Sequence, residues 1–226
     1  MKYYVCSPDG RTGSRRISSM LNETLNGEIY PRVACYIKST PQTTIEEKLE
    51  IWFQTEDTFN KQKINFNEVS EILKNLKDNT VIHSHKIVTL SDIENWTVIH
   101  SIRQSKAEQI MSNIIATHIN SYSPVSADKK FAPIVVSKEA VDSALYFITN
   151  HEKKIKESYP NRIEIFMEDS IQTIEEKLMI KFNEKAKEKH ETKYISNHTY
   201  KQLTLNYKEV FEWCGETTEE NKWRIQ

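Results

Sequence analysis

The stretch YYVCSPDGRTGSRRISSMLNETL, residues 3–25, decides how the rest of the chain is read. Residues 3–7 are a short apolar run of strand-forming side chains, and Pro8, Asp9, Gly10 and Gly13 follow with turn chemistry. Beyond the turn, Ile17, Met20, Leu21 and Leu25 recur at helical spacing, which predicts a helix with its apolar face on a sheet. The unit is strand, glycine loop, helix. The chain has only four glycines, and two of them fall in this loop. Glycine permits positive φ and close approach of a ligand, while the helix start offers unpaired N–H groups and the positive end of its dipole. Arg11, Arg15 and Arg16 bracket Thr12 and Ser14, so forked cationic donors and hydroxyls surround a space of anion size. The plain alternative is a solvated turn leading into a basic first helical turn. Cations there oppose the dipole unless an anion offsets them, which favours an anion-binding loop.

Working outward, TVIHSH (80–85), WTVIHSI (96–102) and RIEIFME (162–168) read as further strands, short and apolar enough to be buried and parallel. Helical patterns occupy 105–119, 137–159 and 170–189. Strands alternating with helices predict an α/β fold, three layers α/β/α around a central parallel sheet. The length of 226 residues is read as one domain, 1–226. Within it, residues 40–79 form a polar insertion between the first two strands, with one helix near NFNEVSEILKNL. Residues 190–226 make a less defined C-terminal segment, and the charge run EKAKEKHETK (184–193) is a solvated helix end or linker.

Lys and Arg total 31 against 32 Asp and Glu, so no global positive charge points to a nucleic acid. The apolar run before Ser7 is too short for a signal peptide or a membrane span, and the expectation is a cytoplasmic protein. Cys6, Cys35 and Cys214 are widely separated and form neither a disulfide framework nor a CxxC metal site. His83 and His85 stand two apart, but without an acidic or cysteine companion at motif spacing they predict no metal site.

An ATP-binding loop of the GxxxxGK[ST] type places Lys and a hydroxyl after its last glycine, whereas Gly13 is followed by Ser14 and Arg15. A phosphorylated donor other than a simple NTP is favoured. RTGSRR at 11–16 resembles the 5′-phosphosulfate loop of the sulfotransferases that use 3′-phosphoadenosine 5′-phosphosulfate (PAPS). The resemblance implies that Arg11 takes the place of the basic residue at the bridging oxygen, with Thr12, Gly13, Ser14 and Arg15 holding the 5′-phosphosulfate. Arg16 falls where many members have tryptophan. IHSIRQSKAEQIMS at 99–112 is similar to the family's 3′-phosphate motif, with Arg103 and Ser112 as its residues, and its spacing is closer to the bacterial trehalose-type enzymes than to the animal cytosolic ones. IEIFMEDS at 163–170 is similar to the strand and acidic pair that follow, with Met167 for the usual aromatic; Glu168 and Asp169 are read as possible helix caps rather than catalytic groups. The three matches span roughly residues 3–182, and in the C-terminal tail only Lys222, Trp223 and Arg224 offer counterparts to the family's closing segment.

Sulfuryl transfer needs an acceptor made nucleophilic and cations where charge grows on the sulfuryl and leaving phosphate oxygens. His83 and His85 point to one face at the carboxyl end of their strand. Alignment with the family's Lys/Thr/His-type triplet implies that His85 is the general base, with His83 as second choice and Lys86 as a further cation. The resemblance implies a PAPS-dependent sulfotransferase of the P-loop NTPase-like fold. It would yield adenosine 3′,5′-bisphosphate (PAP) and act on a hydroxyl or amine of a small-molecule or glycan acceptor, with no metal required. Two alternatives stay open: a divergent, kinase-like nucleotide-dependent phosphotransferase, and a non-catalytic phospho-ligand-binding protein of the same fold. Acceptor-contacting segments are expected at 27–79 and 119–138; the oligomeric state is unreadable.

Overall fold

The computed structural model describes residues 1–7, 10–25, 29–30, 73, 76, 78–85, 87, 90, 93–118, 132–191 and 203–217. The chain divides into two compact units, Met1–Ile102 with Lys153–Lys193, and Arg103–Glu152 with Tyr194–Gln226.

Among the described residues, the first unit holds the whole sheet. Its strands are β1 (Lys2–Cys6), β2 (Ile29–Tyr30), β3 (Val81–Ser84), β4 (Trp96–Ile102) and β5 (Ile163–Phe166), arranged β2-β3-β1-β4-β5. Every pairing is parallel. Val5 stands opposite both His83 of β3 and Ile99 of β4, so the first strand is flanked on both sides. Alternation then sorts the side chains onto two faces. Tyr3, Val5, Val81, Ile99 and Ile165 pack under Ile17, Met20 and Leu21 of α1 (Ser14–Leu25) and under Ile174, Leu178, Phe182 and Ala186. Tyr4, Cys6, Ile82, Trp96 and Val98 face the other way, onto Leu73, Leu76, Leu90, Ile155 and Tyr159. Helices thus cover both faces of a parallel sheet, the arrangement that alternating strands and helices predict. The two-residue edge strand β2 has no forewarning in the sequence, because a piece so short carries no periodicity; it also means that the polar insertion does not directly separate the first strand from the next.

The second unit has its own core. In it α2 (Lys106–His118), the greater part of α3 (Lys138–Ser158) and α6 (Tyr207–Trp213) bring together Ile110, Met111, Ile115, Val141, Ile148, Val210 and Phe211. A parallel bridge joins Ile134 to Thr204, and the Asn206 side chain both donates to the Val136 carbonyl and accepts from its N–H, each at 2.9 Å. Cys214 lies beside Phe211, its thiol pushed up to about 12 by burial first and then by the carboxylates of Glu216 and Asp142. Neither Cys6 nor Cys214 is bridged in a disulfide.

The helix expected over 170–189 is two helices, α4 (Ile171–Leu178) and α5 (Glu184–Glu191). Ser170 caps α4 by accepting from Thr173 N, and Met179 ends it in the left-handed region at φ 53°. Asn183 Oδ1 then receives Ala186 N at 2.8 Å and starts α5. The break is driven by packing. The buried Glu175 carboxylate turns back to accept the Phe182 amide at 2.8 Å, which seats the Phe182 ring in the core under α1. The charged run that opens at Glu184 is likewise more than a solvated end, since Ala186 and His190 are buried and His190 Nε2 meets Ser19 Oγ of α1 at 3.1 Å.

Burial raises the Glu175 carboxyl, but the Phe182 amide and the Lys181 and Lys187 ammonium groups outweigh it, so the group sits below the ordinary glutamate value of 4.5. A carboxyl lowered in the folded state adds stability above its unfolded pKa and loses it as pH falls through the folded one. Urea denaturation between pH 7 and pH 3 is therefore expected to show a steeper acid loss for the wild type than for Glu175→Gln. Equal slopes would contradict this account.

Candidate functional site

The loop between β1 and α1 is a backbone-strained turn. Gly10 and Gly13 adopt φ values of 63° and 78°, and Arg11 between them takes φ 56°. An L side chain in the left-handed region costs of order 1–3 kcal/mol and persists only where surrounding structure over-determines it.

Residues at the strand ends supply that determination. Ser7 and Thr12 close the loop at its base, their hydroxyls 2.5 Å apart. From β4, Ser101 Oγ donates to the Thr12 carbonyl at 2.6 Å. Beside β3, the His85 ring donates Nδ1–H to the Ser7 carbonyl at 2.7 Å, and His83 Nε2 lies 2.8 Å from Ser14 Oγ. Since a carbonyl only accepts, His85 carries a proton on Nδ1, so in the neutral ring Nε2 is the unprotonated nitrogen. The two imidazoles meet edge to face, 4.8 Å between centroids. Ser7, His83 and Ser101 are buried, and His85 is half-buried.

At the start of α1, the Gly13 carbonyl receives Arg16 N and Ile17 N at 2.9 and 3.3 Å. Among the described residues, the N–H groups of Thr12, Gly13 and Ser14 meet no acceptor. Three consecutive amides at the positive end of a helix dipole form the donor set that phosphate and sulfate groups occupy. Arg15 is exposed, Arg11 is half-buried, and the Arg16 guanidinium reaches the Met167 and Asp169 carbonyls at 3.4 Å each. Met167 packs onto the loop: a Cβ on Gly13 would stand 3.1 Å from its Cγ and 3.5 Å from its Cα. Asp169 does not cap α4. Its carboxylate accepts the Phe166 amide at 2.9 Å and pairs with Lys177 at 2.6 Å, while Ser170 takes the capping role.

Arg103 and Ser112 belong to the second unit. The Arg103 guanidinium is 3% exposed and bonded to Glu108 Oε2 at 2.8 Å, itself 1% exposed, so the pair is desolvated on both sides. Ser112 lies half-buried on α2. The start of α2 is answered from within the chain. Glu216 accepts Ser105 Oγ at 2.5 Å, Lys106 N at 2.6 Å and Ala107 N at 3.3 Å, and Ser105 Oγ caps Glu108 N at 3.1 Å. Lys106 also pairs with Glu152. Lys86, Cys35, the tail residues 221–226, most of the polar insertion with its expected helix, and most of the expected acceptor segments lie outside the described residues.

Composition points to Arg11–Arg16, but it does not single out Ser7, His83 and Ser101 as the group that holds the loop. Their signal is nonetheless in the sequence: polar side chains at the carboxyl ends of otherwise apolar parallel strands, where burial without partners is costly. Among the described residues no three His, Cys, Asp or Glu side chains converge to hold a metal, and no helix is long and apolar enough to cross a membrane. No family model matches the chain, and no curated protein or solved structure matches it either.

Gly13→Ala is expected to destabilise the fold by about 1–3 kcal/mol, because the new methyl must accept a left-handed backbone while pressing on Met167. Chemical denaturation checks this; a change within about 0.5 kcal/mol, the range of neutral surface substitutions, would show that the loop relaxes freely.

Proposed function

We propose that the chain is a PAPS-dependent sulfotransferase that transfers a sulfuryl group to a hydroxyl or amine, with the β1–α1 loop holding the donor's 5′ end. The observation that carries this reading is the run of three amides, Thr12 to Ser14, without an acceptor among the described residues, set in a loop bearing three arginines. Backbone N–H groups at a helix N-terminus with guanidinium groups nearby suit a tetrahedral anion. The departure from Lys-then-hydroxyl after Gly13 weighs against a kinase-like use of the same loop.

In this reading the protein's own groups have distinct tasks. The loop amides bind and orient the donor, and Arg11 meets charge growing on the leaving phosphate. His85 takes the acceptor's proton at Nε2, the nitrogen left basic by its Nδ1–H bond to Ser7. That bond ties the base to the first residue of the loop, which favours a fixed relation between proton acceptor and bound anion. Arg103 is proposed for the 3′-phosphate on the strength of the motif resemblance. Because its guanidinium is bonded to Glu108, a phosphate there must share or displace that carboxylate. The acceptor is a small molecule or glycan in this proposal, and the site of action is the cytoplasm.

A thermal-shift comparison tests the reading: PAP is expected to raise Tm, and ATP with Mg²⁺ is not. A shift with ATP and Mg²⁺ alone would favour a phosphotransferase. His85→Ala is expected to lose sulfuryl transfer by at least about a hundredfold, a loss in kcat that exceeds any weakening of PAP binding read by calorimetry. Full turnover in that variant would remove His85 as the base.

A further inference from the structure

We infer that His83 is a positioning residue for the loop, holding the Ser14 hydroxyl so that its single proton is directed at a bound phosphate or sulfate. The inference rests on the proposed anion binding at the β1–α1 loop and deepens it, by making an imidazole behind the loop the determinant of whether Ser14 attracts or repels the anion.

His83 Nε2 and Ser14 Oγ are 2.8 Å apart, and both residues are almost fully buried, with relative exposures of 1% and 4%. A buried serine hydroxyl has one proton and two lone pairs to place. If Nε2 is the acceptor, the hydroxyl spends its proton on the histidine and turns oxygen lone pairs toward the loop, where they repel an anion. If Nε2 bears hydrogen, it donates to Oγ and the hydroxyl proton is released for the anion. The same 2.8 Å contact therefore has two opposite consequences at the start of α1, and the imidazole tautomer selects between them.

The surroundings favour a function over simple packing. Ser14 is the first residue of α1 and directly follows Thr12 and Gly13, so its hydroxyl shares a helix end with the three amides that meet no acceptor among the described residues. Ser18 Oγ donates to the Ser14 carbonyl at 3.0 Å and leaves Ser14 Oγ to His83. His85 packs against the His83 ring in a T-shaped contact and is tied through Nδ1–H to Ser7. Two histidines thereby brace the two ends of one loop, and they do so with different ring nitrogens. By linkage, an anion that takes the Ser14 proton must favour the Nε2–H form of His83, and that form must favour the anion by the same factor.

Isothermal calorimetry with PAP, and separately with inorganic phosphate, tests the inference on the full chain. His83→Leu is expected to bind both probes about ten- to a hundredfold more weakly, because Ser14 Oγ loses the partner that directs its proton and its hydrogen bond to the charged group is lost with that orientation. His83→Gln keeps an N–H at the Nε2 position and is expected to stay within about threefold of the wild type. In a Ser14→Ala background the His83→Leu change is expected to add nothing further, since the two residues act as one unit. A folded His83→Leu protein with wild-type affinity overturns the inference, as do losses that multiply in the double variant. Should His83→Leu fail to fold, ¹⁵N NMR of the wild-type ring decides the matter: with PAP bound, a protonated Nε2 is expected, and an unprotonated one overturns the inference. A wild type that binds neither probe overturns the proposed function and this inference together, whereas binding that ignores His83 overturns the inference alone.

Discussion

The hydrogen bond from Ser101 Oγ to the Thr12 carbonyl, at 2.6 Å, is the constraint on which the first loop depends. A loop that places Gly10, Arg11 and Gly13 in the left-handed region holds its shape only if something outside it opposes relaxation. The ends of three parallel strands do this together, β1 through Ser7, β4 through Ser101 and β3 through His83 and its neighbour His85. Buried polar side chains at the ends of apolar strands need partners, and the loop needs anchors. Each satisfies the other, so neither is left with the cost of an unmade bond.

The helices α1 and α2 begin in opposite ways. The start of α2 is closed by Glu216, whose carboxylate occupies the position an external anion would take and complements the helix dipole. The start of α1 has no acidic residue in its first turn, carries Arg15 and Arg16 instead, and leaves three amides without an acceptor among the described residues. The start of α1 therefore lacks the internal carboxylate that answers the start of α2. Arg103 is held by Glu108 within a dry pair, where removing one partner would strand the other's charge.

Much of the architecture is legible in the sequence because burial on both faces of a parallel sheet leaves an unmistakable run of apolar residues. The strand expected over 96–102 is β4 to the residue, and α1, α2 and α3 lie where periodicity puts them. The departures have physical causes. Residues 170–189 keep helical spacing throughout, yet Glu175 finds the Phe182 amide and the chain turns at Met179, a long-range packing choice that local periodicity cannot register. Asp169 has the chemistry of a cap, but Lys177 and the Phe166 amide claim its carboxylate. At the site, the arginine and glycine content of residues 10–16 marks the loop, while nothing in the sequence ties His83 to Ser14.

The residues alone determined that this chain alternates strands and helices, buries its strands, and concentrates glycine and arginine at one strand-to-helix turn, since these follow from local spacing and solvation. Only the tertiary structure decided that β3 and β4 flank β1, and hence that His83, His85 and Ser101 meet the turn from either side. Hydrogen bonds between residues 69 to 89 positions apart are set by which strands become neighbours, and strand order is a property of the whole packed sheet rather than of any segment in it.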